Sequence, residues 1–175
     1  MAKVRKFVAY RRLERPYTRK SKYREKSFIR GSPQNKITRY NMGDSKKDFE
    51  FTLSLRTRTP LQIRDKAIES MRLIINRHSE KFLGLNNYYI WIKIFPHHHL
   101  RENALASGAG ADRLSTGMKF SFGKVIGVAA QLVAGKEIVQ MRCSKENFDR
   151  VKLILQKAST KLPCKTFITV QQKEA

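Results

Sequence analysis

From Asp44 onward the apolar positions recur with definite periods. Phe49, Phe51, Leu53 and Leu55 alternate with Glu50, Thr52, Ser54 and Arg56, the period of two expected of a half-buried strand. Thr59-Pro60 then offers an N-cap and a first helical residue. Ile63, Ala67, Met71, Ile74, Ile75 and His78 follow every three or four residues, which predicts a helix with one apolar face running to about Phe82 and Gly84. Residues 88–95 read as a strand with Ile90, Ile92 and Ile94 on one face and Tyr89, Trp91, Lys93 and Phe95 on the other. Both of its faces are expected to be partly covered, with Trp91 buried in the core. Two β-rich runs, 124–133 and 137–143, flank Ala134-Gly135-Lys136 and predict a hairpin. Ser144 is placed to cap a second helix whose stripe is Phe148, Val151, Leu155, Ala158 and Leu162, ended by Pro163. Thr166, Ile168 and Val170 make a final strand.

The predicted order is therefore β, α, β, long loop, β, β, α, β, with no repeat of solenoid period. Such a chain packs as an α+β fold, an antiparallel-rich sheet with two helices on one side. The division expected is a basic arm over residues 1–43 and a single α+β domain over 44–175, with a functional loop at 96–123.

Charge changes the picture. The 175 residues carry 37 Lys+Arg against 14 Asp+Glu, a formal +23. Self-repulsion on that scale is relieved by a polyanionic partner, and nucleic acid is the first candidate. The first forty residues hold fourteen Lys/Arg and two acids, a net +12, interleaved with Phe7, Tyr10, Tyr17, Tyr23, Phe28 and Tyr40 and without sustained helical or alternating periodicity. This composition reads as an arm that orders on its partner. Spaced cations track phosphates with release of counterions, and the rings between them stack on unpaired bases. The candidate RNA contacts in the arm are Arg11, Arg12, Arg15, Tyr17, Arg19, Lys20, Lys22, Tyr23, Arg24, Lys26, Arg30, Lys36 and Arg39.

Other classes fit less well. The longest uncharged, mainly apolar stretch, from Val125 to Ala134, is about half of the ~20 residues that span a bilayer. The N-terminus lacks the apolar run of a secretory signal, so the expectation is a cytosolic chain with no membrane partner. Cys143 and Cys164 are too far apart for a CxxC motif and read as buried or incidental thiols.

The segment PHHHLRENALASGAGADRLSTGMKFSFG, residues 96–123, is longer than an ordinary connection inside a compact domain, and loops of that length are functional or disordered. Six of the nine glycines lie between Gly108 and Gly135. Beside Arg101, Arg113, Lys119 and Lys124 they let main chain approach phosphate closely. His97, His98, Lys119 and Lys124 join the candidate RNA contacts. Gly108-Ala109-Gly110 lacks the third glycine, preceding strand contact and acidic partner of a dinucleotide fingerprint. His97-His98-His99 cannot all close on one ion, because adjacent residues of an extended chain point to alternate faces. No nucleophile elbow, carboxylate pair or HExxH is present, so neither metal, cofactor nor catalysis is expected.

YYIWIKIFPHHHLREN followed by GAGADRLSTGM and FGK resembles the archaeal and eukaryotic branch of the universal large-subunit ribosomal protein sixteen family, called ten-e in that branch. RPYTRKSKYREKSFIRGSPQNKITRYNMG resembles that branch's N-terminal arm, so the likeness spans most of the chain. The shorter Gly/Lys-rich loop of the bacterial branch is absent, which identifies the likeness as archaeal in type. Ser115 stands where the branch commonly has Gln, Lys119-Phe120-Ser121 where it has Arg-Gly-Ala, and Val125 where it has Pro.

The resemblance implies a non-enzymatic structural role in the large ribosomal subunit and an α/β-hammerhead fold wedged between rRNA helices below the central protuberance, near 5S rRNA. It implies neighbouring ribosomal proteins as partners, no homo-oligomer, and a loop that points towards the peptidyl-transferase region. Arg101, Asn103, Gly108, Gly110, Arg113 and Gly117 would then be tRNA-proximal. Two other readings stay open on the residues alone: a free RNA-binding or RNA-chaperone protein, and an RNA-processing nuclease using the histidines. Sedimentation with large subunits in high salt separates the first, metal analysis and a cleavage assay the second.

Overall fold

The computed structural model describes residues 5–18, 23, 25, 29, 31–103, 108–110, 113, 115, 117 and 121–172. Eight strands and two long helices follow in the order β1 (Asn41–Gly43), β2 (Phe51–Thr57), β3 (Leu61–Arg64), α1 (Asp65–Leu83), β4 (Tyr88–Ile92), β5 (His98–Glu102), β6 (Lys124–Leu132), β7 (Glu137–Cys143), α2 (Phe148–Ser159) and β8 (Thr166–Gln172). They form a five-stranded sheet of order β1-β4-β7-β2-β8 and a three-stranded sheet of order β3-β6-β5, antiparallel throughout. The two helices pack on each other and against the larger sheet, as an α+β fold requires. One continuous core runs through Leu53, Leu55, Ile63, Ile68, Met71, Ile75, Ile90, Ile138, Met141, Val151 and Leu155.

Several local expectations are corrected. Thr59-Pro60 does not open the helix. Residues 61–64 pair with β6, Leu61 opposite Leu132 and Ile63 opposite Ala130, because a strand here covers an otherwise open edge of β6. The helix starts at Asp65, whose carboxylate accepts the Lys66 N–H at 2.8 Å and suits the positive end of the helix dipole. With Ile63 on a strand, the buried stripe rotates to Ile68, Met71, Arg72, Ile75, Ser79 and Leu83, and Ile74 and His78 move to its flank. Arg72 is buried at no cost in unpaired charge, since Glu69 accepts from its Nε at 2.9 Å and its Nη2 at 2.7 Å.

The two runs either side of Ala134-Gly135 are strands but not a hairpin. β6 pairs with β3 and β5, whereas β7 pairs with β2 and β4, so the turn carries the chain from one sheet to the other. Thr57 holds that crossing: its N–H donates to Lys136 C=O at 3.1 Å, its C=O accepts from Gly135 N–H at 2.9 Å, and its hydroxyl donates to Val133 C=O at 2.9 Å. Ser144 precedes a short 3-10 turn, Lys145–Asn147, and makes no side-chain cap; α2 begins only at Phe148.

Burial alternates without a break from Tyr88 to His98, even positions in and odd positions out or half out. Trp91 is thus 40% exposed rather than in the core. The segment 96–123 is not all loop either. Residues 98–102 pair with β6 as β5, His98 opposite Ala129 and Leu100 opposite Gly127, which shortens the connection to 103–123.

Candidate nucleic-acid interface

The arm is seated on the three-stranded sheet. Phe7–Ala9 form a 3-10 turn that delivers Tyr10, 8% exposed, onto Leu100, Ala129 and Ile126. The Tyr10 hydroxyl accepts from the Arg5 N–H at 3.1 Å and donates to Glu102 Oε2 at 3.2 Å, while the Arg5 guanidinium pairs with the same carboxylate. Burial pushes the Tyr10 phenol above its usual range. Arg11 C=O accepts from Gln62 N–H at 3.3 Å, and the Gln131 side-chain amide donates to Glu14 C=O at 2.8 Å. The arm therefore fills main-chain and side-chain bonds of β3 and β6, and in residues 5–18 it needs no partner to acquire a path.

Two histidines complete the seat. Tyr17 N–H donates to His98 Nδ1 at 3.0 Å, and Tyr17 C=O accepts from His99 N–H at 3.1 Å and from His99 Nδ1 at 3.0 Å. His99 Nδ1, facing a carbonyl oxygen, carries a proton, and Nε2 lies 2.7 Å from Ser32 Oγ in hydrogen-bond contact, so a second stretch of the arm is held by the same ring. His98 is 2% and His99 6% exposed. Burial, followed by the neighbouring Arg101 and His99, lowers the His98 pKa to about 4, so its Nδ1 stays a free acceptor.

Arg101, at the root of the loop, sits in the corner of two perpendicular rings, Tyr17 and Phe122, whose centroids are 5.5 Å apart at 87°: its guanidinium carbon is 3.5 Å from the first centroid and 3.6 Å from the second. Its Nη1 donates to Phe122 C=O at 2.8 Å. Arg101 thus clamps arm, β5 and the chain entering β6 by stacking and cation–π attraction. Gly123 closes the same root with φ +78°, and a Cβ there would fall 2.8 Å from the Glu102 carbonyl carbon.

Seating sorts the predicted contacts. The rings expected to stack on RNA, Tyr10 and Tyr17, face the protein, while Arg11, Arg12 and Arg15 between them are exposed. Lys36, Arg39, His97, Lys124, Gly108, Gly110, Arg113 and Gly117 are also exposed, and Asn103 is half-buried. Tyr23 is 57% exposed. His98 is turned inward as an acceptor for the arm, and Arg101 is committed to its two rings. Arg19, Lys20, Lys22, Arg24, Lys26, Arg30 and Lys119 lie outside the described residues. Among the described residues no group of three or more His, Cys, Asp or Glu side chains is placed to hold a metal, and no helix is long and apolar enough to cross a membrane.

Sequence reasoning missed the outward aromatics Trp91 and Phe95, although the unbroken alternation of residues 88–95 carried the signal. It also missed the second acid–base knot beside them. Glu137 accepts from Lys93 Nζ and Arg56 Nη2, each at 2.5 Å, and these bonds, the Lys93 one foremost, hold its carboxyl below the usual range.

The comparisons agree with this geometry. The family model for ribosomal protein L16p/L10e matches residues 14–169. The large ribosomal subunit protein uL16 of Archaeoglobus fulgidus is 39% identical over 163 residues, covering 93% of this chain and 90% of its own length. Its namesake from Metallosphaera sedula is 42% identical over 150 residues, 85% of this chain and 86% of its own. That of Methanococcus maripaludis is 39% identical over 157 residues, 89% and 91%. The match begins inside the seated arm, runs through the clamped loop and ends within β8, so the chain belongs to the ribosomal protein L16p/L10e family, in its archaeal type.

Proposed function

We propose that this chain holds large-subunit rRNA with the outward cations of its seated arm, in the region near 5S rRNA, and that exposed Gly108, Gly110, Arg113 and Gly117 lie beside tRNA. The ribosomal role itself comes with family membership: this is a structural component of the large ribosomal subunit, working inside ribosomes with rRNA and neighbouring ribosomal proteins, not an enzyme. The observation that carries the finer reading is the sorting within the arm. Tyr10 and Tyr17 are spent on the protein, so Arg11, Arg12 and Arg15 are presented from a fixed backbone, and a fixed cation row loses less entropy on phosphate than a free tail.

Replacing Arg11, Arg12 and Arg15 by Ala in the full chain should leave the melting temperature in place. It should lower the salt slope of rRNA-fragment binding by about 0.7–0.9 for each phosphate that is no longer neutralised. An unchanged slope removes these residues from the interface. The loop is tested separately. Shortening residues 105–116 should preserve occupancy of large subunits while slowing tRNA placement or a late maturation step. Normal translation at normal occupancy, or failure to incorporate at all, overturns that division of labour.

A further inference from the structure

The extended run from β4 into β5 leaves a row of outward side chains, exposed or half-buried among the described residues. Tyr89, Trp91, Lys93, Phe95 and His97 occupy the odd positions; Trp91 is 40% and Phe95 47% exposed. The rings are set, not loose. Phe95 stacks on Tyr40 with centroids 5.5 Å apart at 24°, and the His97 ring is 4.7 Å from Phe95. Lys93 Nζ lies 4.9 Å from the Trp91 centroid, and the Arg142 guanidinium 5.5 Å from that of Tyr89. Positions two residues apart on one strand face are about 7 Å apart, so Tyr89 and Trp91 make one pair of neighbouring rings and Phe95 and His97 a second, closer pair beyond Lys93, and one chain of nucleotides can meet both.

We propose that this row is a stacking platform for unpaired nucleotides of rRNA, a reading that rests on the rRNA-binding role above and names the surface and the conformation of RNA it takes. Exposed, pre-set aromatic planes offer a base the apolar contact it gives up on leaving a helix, and every base has a π-face, so the platform needs no particular sequence. Duplex RNA hides its base faces and gains nothing from such a row. The charge agrees with an RNA occupant. Lys93 and Arg142 flank the rings, while the nearby carboxylate, Glu137, is already engaged by Lys93 and Arg56. The floor beside Trp91 is polar as well: Gln140 sits directly across from it in β7 and Ser54 across from Gln140 in β2.

The chain has a single tryptophan, so its emission reports this surface without a label. Titrating the full chain with a short unstructured single-stranded RNA should quench Trp91 saturably, and a duplex of the same composition should not. Trp91→Ala with Phe95→Ala should weaken single-strand binding about 5- to 100-fold at unchanged melting temperature, while Trp91→Phe retains most of it. Equal quenching by duplex, unchanged affinity of the double variant, or an emission change seen only when other purified ribosomal proteins are added overturns the platform. The wild-type quenching and the Trp91→Phe affinity decide the matter even if the double variant folds poorly. A double variant that binds single strands normally and still sediments with large subunits refutes the platform alone. A wild-type chain that fails to sediment with them takes the ribosomal reading down as well.

Discussion

Protonating His98 should unseat the arm. Its ring is 2% exposed, its Nδ1 accepts the Tyr17 N–H at 3.0 Å, and an imidazolium cannot accept. The groups that face it are the Tyr17 ring, with centroids 5.8 Å apart, His99 and the Arg101 guanidinium; Glu102, farther along the same strand, is occupied by Tyr10 and Arg5. A second positive charge there meets no counter-charge. The folded chain holds this proton less tightly than the unfolded one, with a pKa of about 4 against 6.5. The stability due to neutral His98 is therefore complete above pH 6.5 and is lost as pH falls towards 4. At 1.36 kcal/mol per unit the whole interval is worth roughly 3 kcal/mol, of which about 2 kcal/mol is gone by pH 5. Urea unfolding of the full chain and of His98→Asn at pH 7 and pH 5 measures it. Glu69, held low by its bonds to Arg72, and Glu137, held low by Lys93 and Arg56, contribute acid sensitivity of their own, which cancels in the comparison. Wild type should lose about 2 kcal/mol more than the variant, with exchange protection of the Tyr17 amide falling in step. Equal losses in the two proteins, or a Tyr17 amide whose protection is the same at pH 5 as at pH 7, would refute the reasoning.

Three further outcomes are expected. Arg101→Lys keeps the charge but loses the planar group set in the corner of Tyr17 and Phe122 and its bond to the Phe122 carbonyl, and should lower stability by about 1–2 kcal/mol in thermal unfolding; a neutral change would show that charge alone matters. Gly43→Ala places a Cβ 2.2 Å from the Tyr88 carbonyl oxygen at φ +86°, and should cost at least about 2 kcal/mol, against almost nothing for Gly127→Ala, where a Cβ meets nothing within 4 Å. Trp91→Ala should cost under about 1 kcal/mol, because the ring lies on the surface; a loss of several kcal/mol would put it back in the core.

What could be read without coordinates was whatever depends on local period. The even-position isoleucines of β4 and the Val151–Leu155–Ala158 stripe of α2 were legible because one buried face fixes one spacing. What could not be read depends on partners far along the chain. Residues 61–64 become a strand only because β6 needs a neighbour, and 124–132 and 137–143 part company because each finds its partners in a different sheet. The same holds at the interface. Composition located the cations, but His98 and Tyr17 are 81 residues apart, and nothing local announces that a ring in the arm will cover a histidine on β5 instead of a base.

The seat of the arm also sets an order in time. On a growing chain the arm is made first and its seat last: Glu14 waits for Gln131, 117 residues later, and Tyr10 for Glu102, 92 residues later. At roughly 5–20 residues per second, the most cationic stretch of the molecule spends on the order of ten seconds with nothing to dock on. Its tyrosines are bare during that interval along with its arginines, so the nascent arm is stickier towards RNA, and less selective, than the finished one. Seating then withdraws Tyr10 and Tyr17 and leaves Arg11, Arg12 and Arg15 outside. On the role proposed for the arm, the fold itself turns an indiscriminate cationic tail into a defined one, and the change is finished only once β6 has been made.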